Sequence, residues 1–154
     1  EVSALAEDKS IKFCIETHTG SLTFSASDTV KMVKDIDRDN VGILLDYAWV
    51  YIAGKETCEE AVKMCMPYLL HCHYKDCKLA GSGSSLKRIS CLMGEGDIPW
   101  KTFFKTLSEY GYQGTLSDEY EKYWQRDVLP NAPSGMKYNL NYVKNYLEEL
   151  GIRN

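Results

Sequence analysis

Four short apolar runs of strand character, Ile11 to Glu16, Val41 to Asp46, Leu70 to His73 and Thr115 to Glu119, recur along the chain with helix-length segments between them. A strand followed by a helical crossover and another strand builds a parallel sheet, and parallel strands all end on one face. Each run closes on a side chain able to hold a metal: Glu16, Asp46, His73 and Glu119. Residues about 25 to 45 positions apart in sequence therefore converge at one rim. Three carboxylates and one imidazole gathered there are the ligand set of a single divalent cation. One acid after an apolar run is commonly a solvated or capping residue. Four together are costly unless a cation neutralises them.

The segments between the runs carry helix signals. Ser27 is placed to cap a helix through about Ile36, in which Val30, Val33 and Ile36 recur at helical spacing. Thr57 and Glu60 have capping-box spacing; Pro67 stops the helix they start, whose buried stripe is Ala61, Met64, Cys65 and Tyr68. After a short strand near Arg88 to Met93, Asp97 is placed to cap a helix with Pro99 in its first turn and Trp100, Phe103, Phe104 and Leu107 inside. Gly111 ends it. The last helix runs from about Met136 to Leu150, turning Leu140, Val143, Tyr146, Leu147 and Leu150 to the sheet, and Gly151 stops it. Two loops are longer. Cys77 to Lys87, with Ala80-Gly81-Ser82-Gly83-Ser84-Ser85, reads either as a mobile lid over the rim or as a disordered surface loop. Tyr120 to Ser134, with Trp124, Pro130 and Pro133, either walls a pocket at that rim or simply packs. No internal repeat and no second domain is visible.

Net charge is −4 and no basic cluster exceeds Lys87-Arg88, so no nucleic-acid partner is expected. No signal peptide, membrane-spanning run or lipidation motif is visible, and no membrane partner is expected. Cys14 and Cys72 fall within predicted buried strands, and Cys58 and Cys65 lie on one helix. These, with Cys77 and Cys91, are expected to be reduced thiols in a cytoplasmic protein. His71-Cys72-His73 with Cys77 invites a zinc-finger reading. Strand alternation argues against it, because it turns Cys72 away from both histidines.

Five strings carry a family resemblance. Phe13-Cys14-Ile15-Glu16-Thr17-His18, Val41-Gly42-Ile43-Leu44-Leu45-Asp46, His71-Cys72-His73-Tyr74-Lys75-Asp76, Gly94-Glu95-Gly96-Asp97-Ile98-Pro99 and Tyr112-Gln113-Gly114-Thr115-Leu116-Ser117-Asp118-Glu119 resemble, in order, the C-terminal half of xylose-isomerase-like TIM barrels. This is the sugar phosphate isomerase/epimerase group of the AP endonuclease family 2 superfamily. The resemblance runs from about residue 10 to the end. It implies an α/β fold, a partial TIM (β/α)8 barrel made of strands four to eight with their helices, with residues 1–154 forming the C-terminal part of a single barrel domain. A complete barrel needs about 250 residues, whereas this chain has 154 and starts on Glu1, with Val2-Ser3-Ala4-Leu5-Ala6 reading like the tail of a helix. An upstream segment of about 100 residues, or a homo-oligomer partner, is expected to close the open sheet edges.

The resemblance also implies chemistry. Glu16, Asp46, His73 and Glu119 match the family's metal ligands, for manganese first and for magnesium, cobalt, iron or zinc as alternatives. In the family's ketose 3-epimerases the two glutamates matching Glu16 and Glu119 are also the catalytic base and acid. The implied activity is isomerisation or epimerisation of a sugar or sugar phosphate by proton abstraction next to a carbonyl, through an enediolate. Alternatives are a lyase or dehydratase of the same superfamily, including a C-glycoside-cleaving type, and a non-catalytic metal-binding half barrel. His18, Trp49, His71 and Lys75 are the candidate substrate contacts. His18 is equally readable as a loop histidine. Lys75 either binds a substrate oxygen or phosphate or pairs with a carboxylate. Trp49 stands where family epimerases often place a substrate-touching histidine, and Leu79 where some carry an arginine. Those two departures point to a bulkier substrate or to β-elimination.

Overall fold

The computed structural model describes residues 2–7, 9–81 and 83–152. Its elements run α1 (Val2–Glu7), β1 (Phe13–Glu16), α2 (Ala26–Ile36), β2 (Val41–Asp46), α3 (Tyr47–Ala53), α4 (Cys58–Cys65), β3 (Leu69–Tyr74), β4 (Asp76–Ala80), β5 (Lys87–Cys91), α5 (Trp100–Glu109), β6 (Thr115–Asp118) and α6 (Ala132–Glu149). Strands β1, β2, β3 and β6 form one sheet in that order, every neighbour parallel. The register sets Glu16 beside Leu44, Asp46 beside His73 and His73 beside Ser117, so the C-terminal ends of the strands share one rim. The result is an α/β arc of a (β/α)8 barrel.

Alternation along the strands decides what each face holds. Ile43, Leu45, Cys72 and Tyr74 are buried in the core, together with Val33, Ala61, Val62, Cys65, Val143 and Leu147 of the helices. An aromatic cluster anchors α5. Tyr47 stacks on Phe103 with ring centroids 4.7 Å apart, and Trp100 meets both rings edge-on. Phe103 is fully buried, and burial of a side chain of that size contributes roughly 1.5–3 kcal/mol. The other face of the sheet is polar, with His71 bridging Thr115 and Ser117.

Thr57 and Glu60 form the expected capping box: the Glu60 amide donates to Thr57 Oγ1 at 3.2 Å, and the Thr57 amide donates to Glu60 Oε2 at 2.9 Å. Replacing Thr57 by Ala should therefore cost about 1 kcal/mol, a fall of roughly 2–4 °C in a thermal melt. Thr57→Ser should melt like the wild type.

Several local expectations are corrected. Ser25, not Ser27, caps α2, with its hydroxyl accepting from the Asp28 amide; Ser27 instead binds Glu56. Asp97 does not cap α5, because its carboxylate accepts from the Leu79 amide at 2.6 Å. Pro67 lies inside a short 3-10 turn, Met66–Tyr68, that follows α4. Helix α6 starts at Ala132, capped by Asn131, and Leu140 on it is exposed rather than inward. Cys14 is exposed on its strand, and all six cysteines are free thiols.

The segment read as a lid or disordered loop is a β-hairpin. β4 and β5 pair antiparallel from Asp76 opposite Cys91 to Ala80 opposite Lys87, apart from the main sheet, so the run near Arg88 is not a parallel strand. Buried Asp76 secures the hairpin by accepting from the Cys77, Gly94 and Gly96 amides at 2.9 to 3.0 Å.

Candidate metal centre

Asp46 is placed by the two ends of its own backbone neighbourhood. Its Oδ1 accepts from the Ala48 amide at 3.0 Å and the Trp49 amide at 3.4 Å, which caps α3 and fixes the carboxylate. Thr17, just past β1, clamps the strand end by accepting from the Asp46 amide at 2.9 Å and donating to the Asp46 carbonyl at 3.1 Å. The second oxygen, Oδ2, is left for the rim. Thr23 likewise donates to the Glu16 carbonyl at 2.6 Å and steadies the end of β1. Glu119 lies one residue past β6, with its amide donating to the Tyr74 carbonyl at 3.0 Å.

These strand ends bring Glu16, Asp46, His73 and Glu119 together, with one ligand atom from each lying within 4.8 Å of the others. His73 Nδ1 is 3.3 Å from Glu16 Oε1 and 3.6 Å from Glu119 Oε2. Ligand atoms about 2.1 Å from one ion lie up to about 4.2 Å apart, so a small side-chain closure suffices. Glu16 Oε1, Asp46 Oδ2 and His73 Nδ1 are buried and make no hydrogen bond among the described residues, standing instead in charge pairs. Two buried carboxylate oxygens and an imidazole nitrogen converging with Glu119 on one point fit a divalent cation.

The electrostatics follow from burial and crowding. Burial pushes the Asp46 carboxyl up to about 7, against the pull of Lys75. Burial acts on Glu119 in the same sense, but the His73, Asp46 and Lys75 groups crowded around it together hold it well below the usual carboxylate range. Glu119 and then Glu16 raise His73 to about 9. Burial lowers His71.

The candidate substrate contacts lie at different depths. Lys75 is inside the ligand cluster, 2.6 Å from Asp46 Oδ2 and paired with Glu119. Trp49 carries the Lys75 ammonium 4.4 Å from its ring centre, and its buried Nε1 has no acceptor among the described residues. His18 is tilted against Trp49 at 4.4 Å, and its Nδ1 accepts from the Gly20 amide. His71 is one layer below the ligands, its ring nitrogens 2.6 Å from Thr115 Oγ1 and 2.7 Å from Ser117 Oγ.

Two residues of this neighbourhood were not singled out from the sequence. Arg88 on the hairpin lies 4.7 Å over Trp49 and holds Glu121 with both guanidinium nitrogens. Glu121 follows Glu119 by two residues, and that spacing was the available signal. Arg88 carried none, because only the hairpin brings it to the rim. A groove of about 770 Å³ lies elsewhere: Leu107, Tyr112, Leu116, Val143 and Leu147 line it along β6, and none of the four clustered residues belongs to it. Among the described residues no helix is long and apolar enough to cross a membrane.

The chain is similar to known proteins. A D-psicose 3-epimerase of Ruminiclostridium cellulolyticum is 28% identical over 119 residues, spanning 75% of this chain and 36% of that protein. An inosose dehydratase of Clostridium perfringens is 26% identical over 133 residues, 79% of this chain and 44% of that protein. The chain thus spans less than half the length of these curated relatives. The crystal structure of a xylose isomerase-like TIM barrel protein from Mycobacterium smegmatis, in complex with magnesium, superposes with a TM-score of 0.72 at 17% identity, covering 95% of this chain and 47% of that one. Residues 1–146 match the signature of the xylose isomerase-like TIM barrels, and the chain belongs to that family.

Proposed function

We propose that this chain carries the metal-binding rim of a divalent-metal-dependent isomerase or epimerase acting on a sugar or sugar phosphate. The observation that carries the reading is the convergence of Glu16, Asp46, His73 and Glu119 within 4.8 Å. Glu16 and Glu119 arrive from β1 and from the end of β6, the two edge strands of the arc, so they flank the rim from opposite sides. A bound cation, manganese in the first instance, would supply Lewis-acid polarisation of a carbonyl and its neighbouring hydroxyl. The protein's own part is proton transfer. One glutamate removes the proton next to the carbonyl, giving an enediolate, and the other returns a proton to the opposite face. Inversion at one carbon follows, or isomerisation when the proton returns to the neighbouring carbon. Trp49, with its unpaired indole N–H, walls the rim and offers a donor to a substrate oxygen.

A second reading is β-elimination by a dehydratase. It is favoured by the Lys75 ammonium beside Asp46 and Glu119, where a departing hydroxyl would find a charged N–H donor. Strands β1 and β6 are the edges of the sheet among the described residues, and we propose that further barrel strands or a second copy cover them.

The test is product analysis in D2O with ketoses, ketose phosphates and inososes, each with manganese, magnesium, cobalt, iron or zinc. Deuterium next to the carbonyl with appearance of the epimer supports the first reading. Loss of water supports the second. Absence of exchange with every metal and substrate leaves a non-catalytic metal-binding protein.

A further inference from the structure

Lys75 is a cation buried at the rim, its side chain 4% exposed and aimed into the candidate ligand cluster. It follows His73 by two residues and β3 by one, so strand alternation sends it to the same face as the imidazole. Its Nζ is 2.6 Å from Asp46 Oδ2 and hydrogen-bonds Glu119, two of the four candidate ligands. Trp49 covers it at 4.4 Å. Glu121 Oε1, which is not one of the candidate ligands, lies 4.0 Å away, and Glu121 is itself held by Arg88 and by the Ser90 hydroxyl at 2.8 Å.

We propose that Lys75 is a built-in counter-cation that shares Asp46 and Glu119 with the divalent ion, so that metal entry moves its ammonium off Asp46 toward Glu121 and its charge sets the affinity of the site. The inference rests on the metal-site reading above. An ion about 2.1 Å from Asp46 Oδ2 would lie within a few ångströms of an ammonium contacting that same oxygen, and two cations so close in a buried site repel strongly. The ammonium has somewhere to go. Moving about 1 Å closer to Glu121 turns that pair into a hydrogen bond, while the face of Trp49 continues to receive the charge. Without metal, the same ammonium neutralises a carboxylate that is fully buried and would otherwise be costly to keep ionised. The group is thus a placeholder for half the positive charge that the ion brings.

The experiment is calorimetric titration of Mn2+ into the chelator-treated full chain, for wild type, Lys75→Met and Lys75→Arg, with melts of each free form. Lys75→Met should bind Mn2+ roughly ten- to a hundredfold more tightly, the scale on which one neighbouring charge acts, while its chelated form melts several degrees lower. Lys75→Arg keeps the charge and should stay near the wild-type affinity. Unchanged or weaker binding by a folded Lys75→Met overturns the counter-cation while leaving the metal site standing; lack of Mn2+ binding by the wild type removes both. Should Lys75→Met fail to fold, NMR of the lysine ε-ammonium groups in the wild type decides. The Lys75 resonance should move on saturation with diamagnetic Mg2+, and a resonance that stays put at saturation overturns the inference.

Discussion

Glu119→Gln and Glu16→Gln are each expected to lower kcat/KM of the metal-loaded enzyme by about a thousandfold, within the range attributed to a positioned acid or base. The amide keeps one carbonyl oxygen for the metal but cannot exchange a proton at working pH. Metal content measured on each variant should therefore stay near one ion per chain, while turnover collapses. The two positions act from opposite edges of the arc, β1 and the end of β6, so the double variant should be no slower than the slower single one within a few-fold. Thr17→Val tests the clamp behind them: it deletes the hydroxyl that both accepts from and donates to Asp46 and is expected to weaken metal binding without removing a ligand. A Glu119→Gln enzyme that turns over within tenfold of wild type would remove the acid-base pair from the proposal.

How much of this was legible in the sequence depends on whether the signal was local. The four strand ends were readable because a short apolar run and an abrupt terminal acid or imidazole are properties of a few consecutive residues. The capping box at Thr57 and Glu60 was readable for the same reason, since both partners lie within one turn. Competition for a partner defeated the other caps. Asp97 has the side chain of a cap but is drawn to the Leu79 amide, 18 residues away in sequence, and Ser25 outcompetes Ser27, which finds Glu56 instead. Helix α3 was missed because its start is Asp46, read only as a candidate ligand although it also caps the helix. The hairpin was half legible: the run near Arg88 read as a strand, but its antiparallel partner β4, with Asp76 and Lys78, read as loop, although Gly81 and Gly83 in the connection both have positive φ. Arg88 and Glu121 could not be joined from sequence, since 33 residues and the hairpin fold separate them.

Metal removal should produce the second large effect, and it should depend on pH. With free ion at about a thousand times its dissociation constant, binding adds about 4 kcal/mol to stability, which in a chain of this size is a rise of roughly 8–16 °C in melting temperature. Protons compete with the ion. His73 is raised to about 9 by Glu119 and Glu16, and a metal takes only the neutral imidazole. In the metal-free protein, a folded-state value above the unfolded one means that the protonated imidazole stabilises the fold fully below about 6.5, and that this contribution is lost as pH rises through about 9. The loaded protein behaves oppositely, because raising the pH removes the competing proton. Affinity should therefore climb up to about tenfold per pH unit until about 9. Asp46, raised to about 7 by its burial, must also ionise to bind, so the slope should steepen toward two protons below neutrality. Melts with chelator and with manganese, run from pH 6 to 9, should consequently diverge as pH increases, the chelated curve falling while the loaded one holds. Curves that coincide at every pH would exclude an ion at this rim. A constant gap across the range would mean that the ion is held without His73.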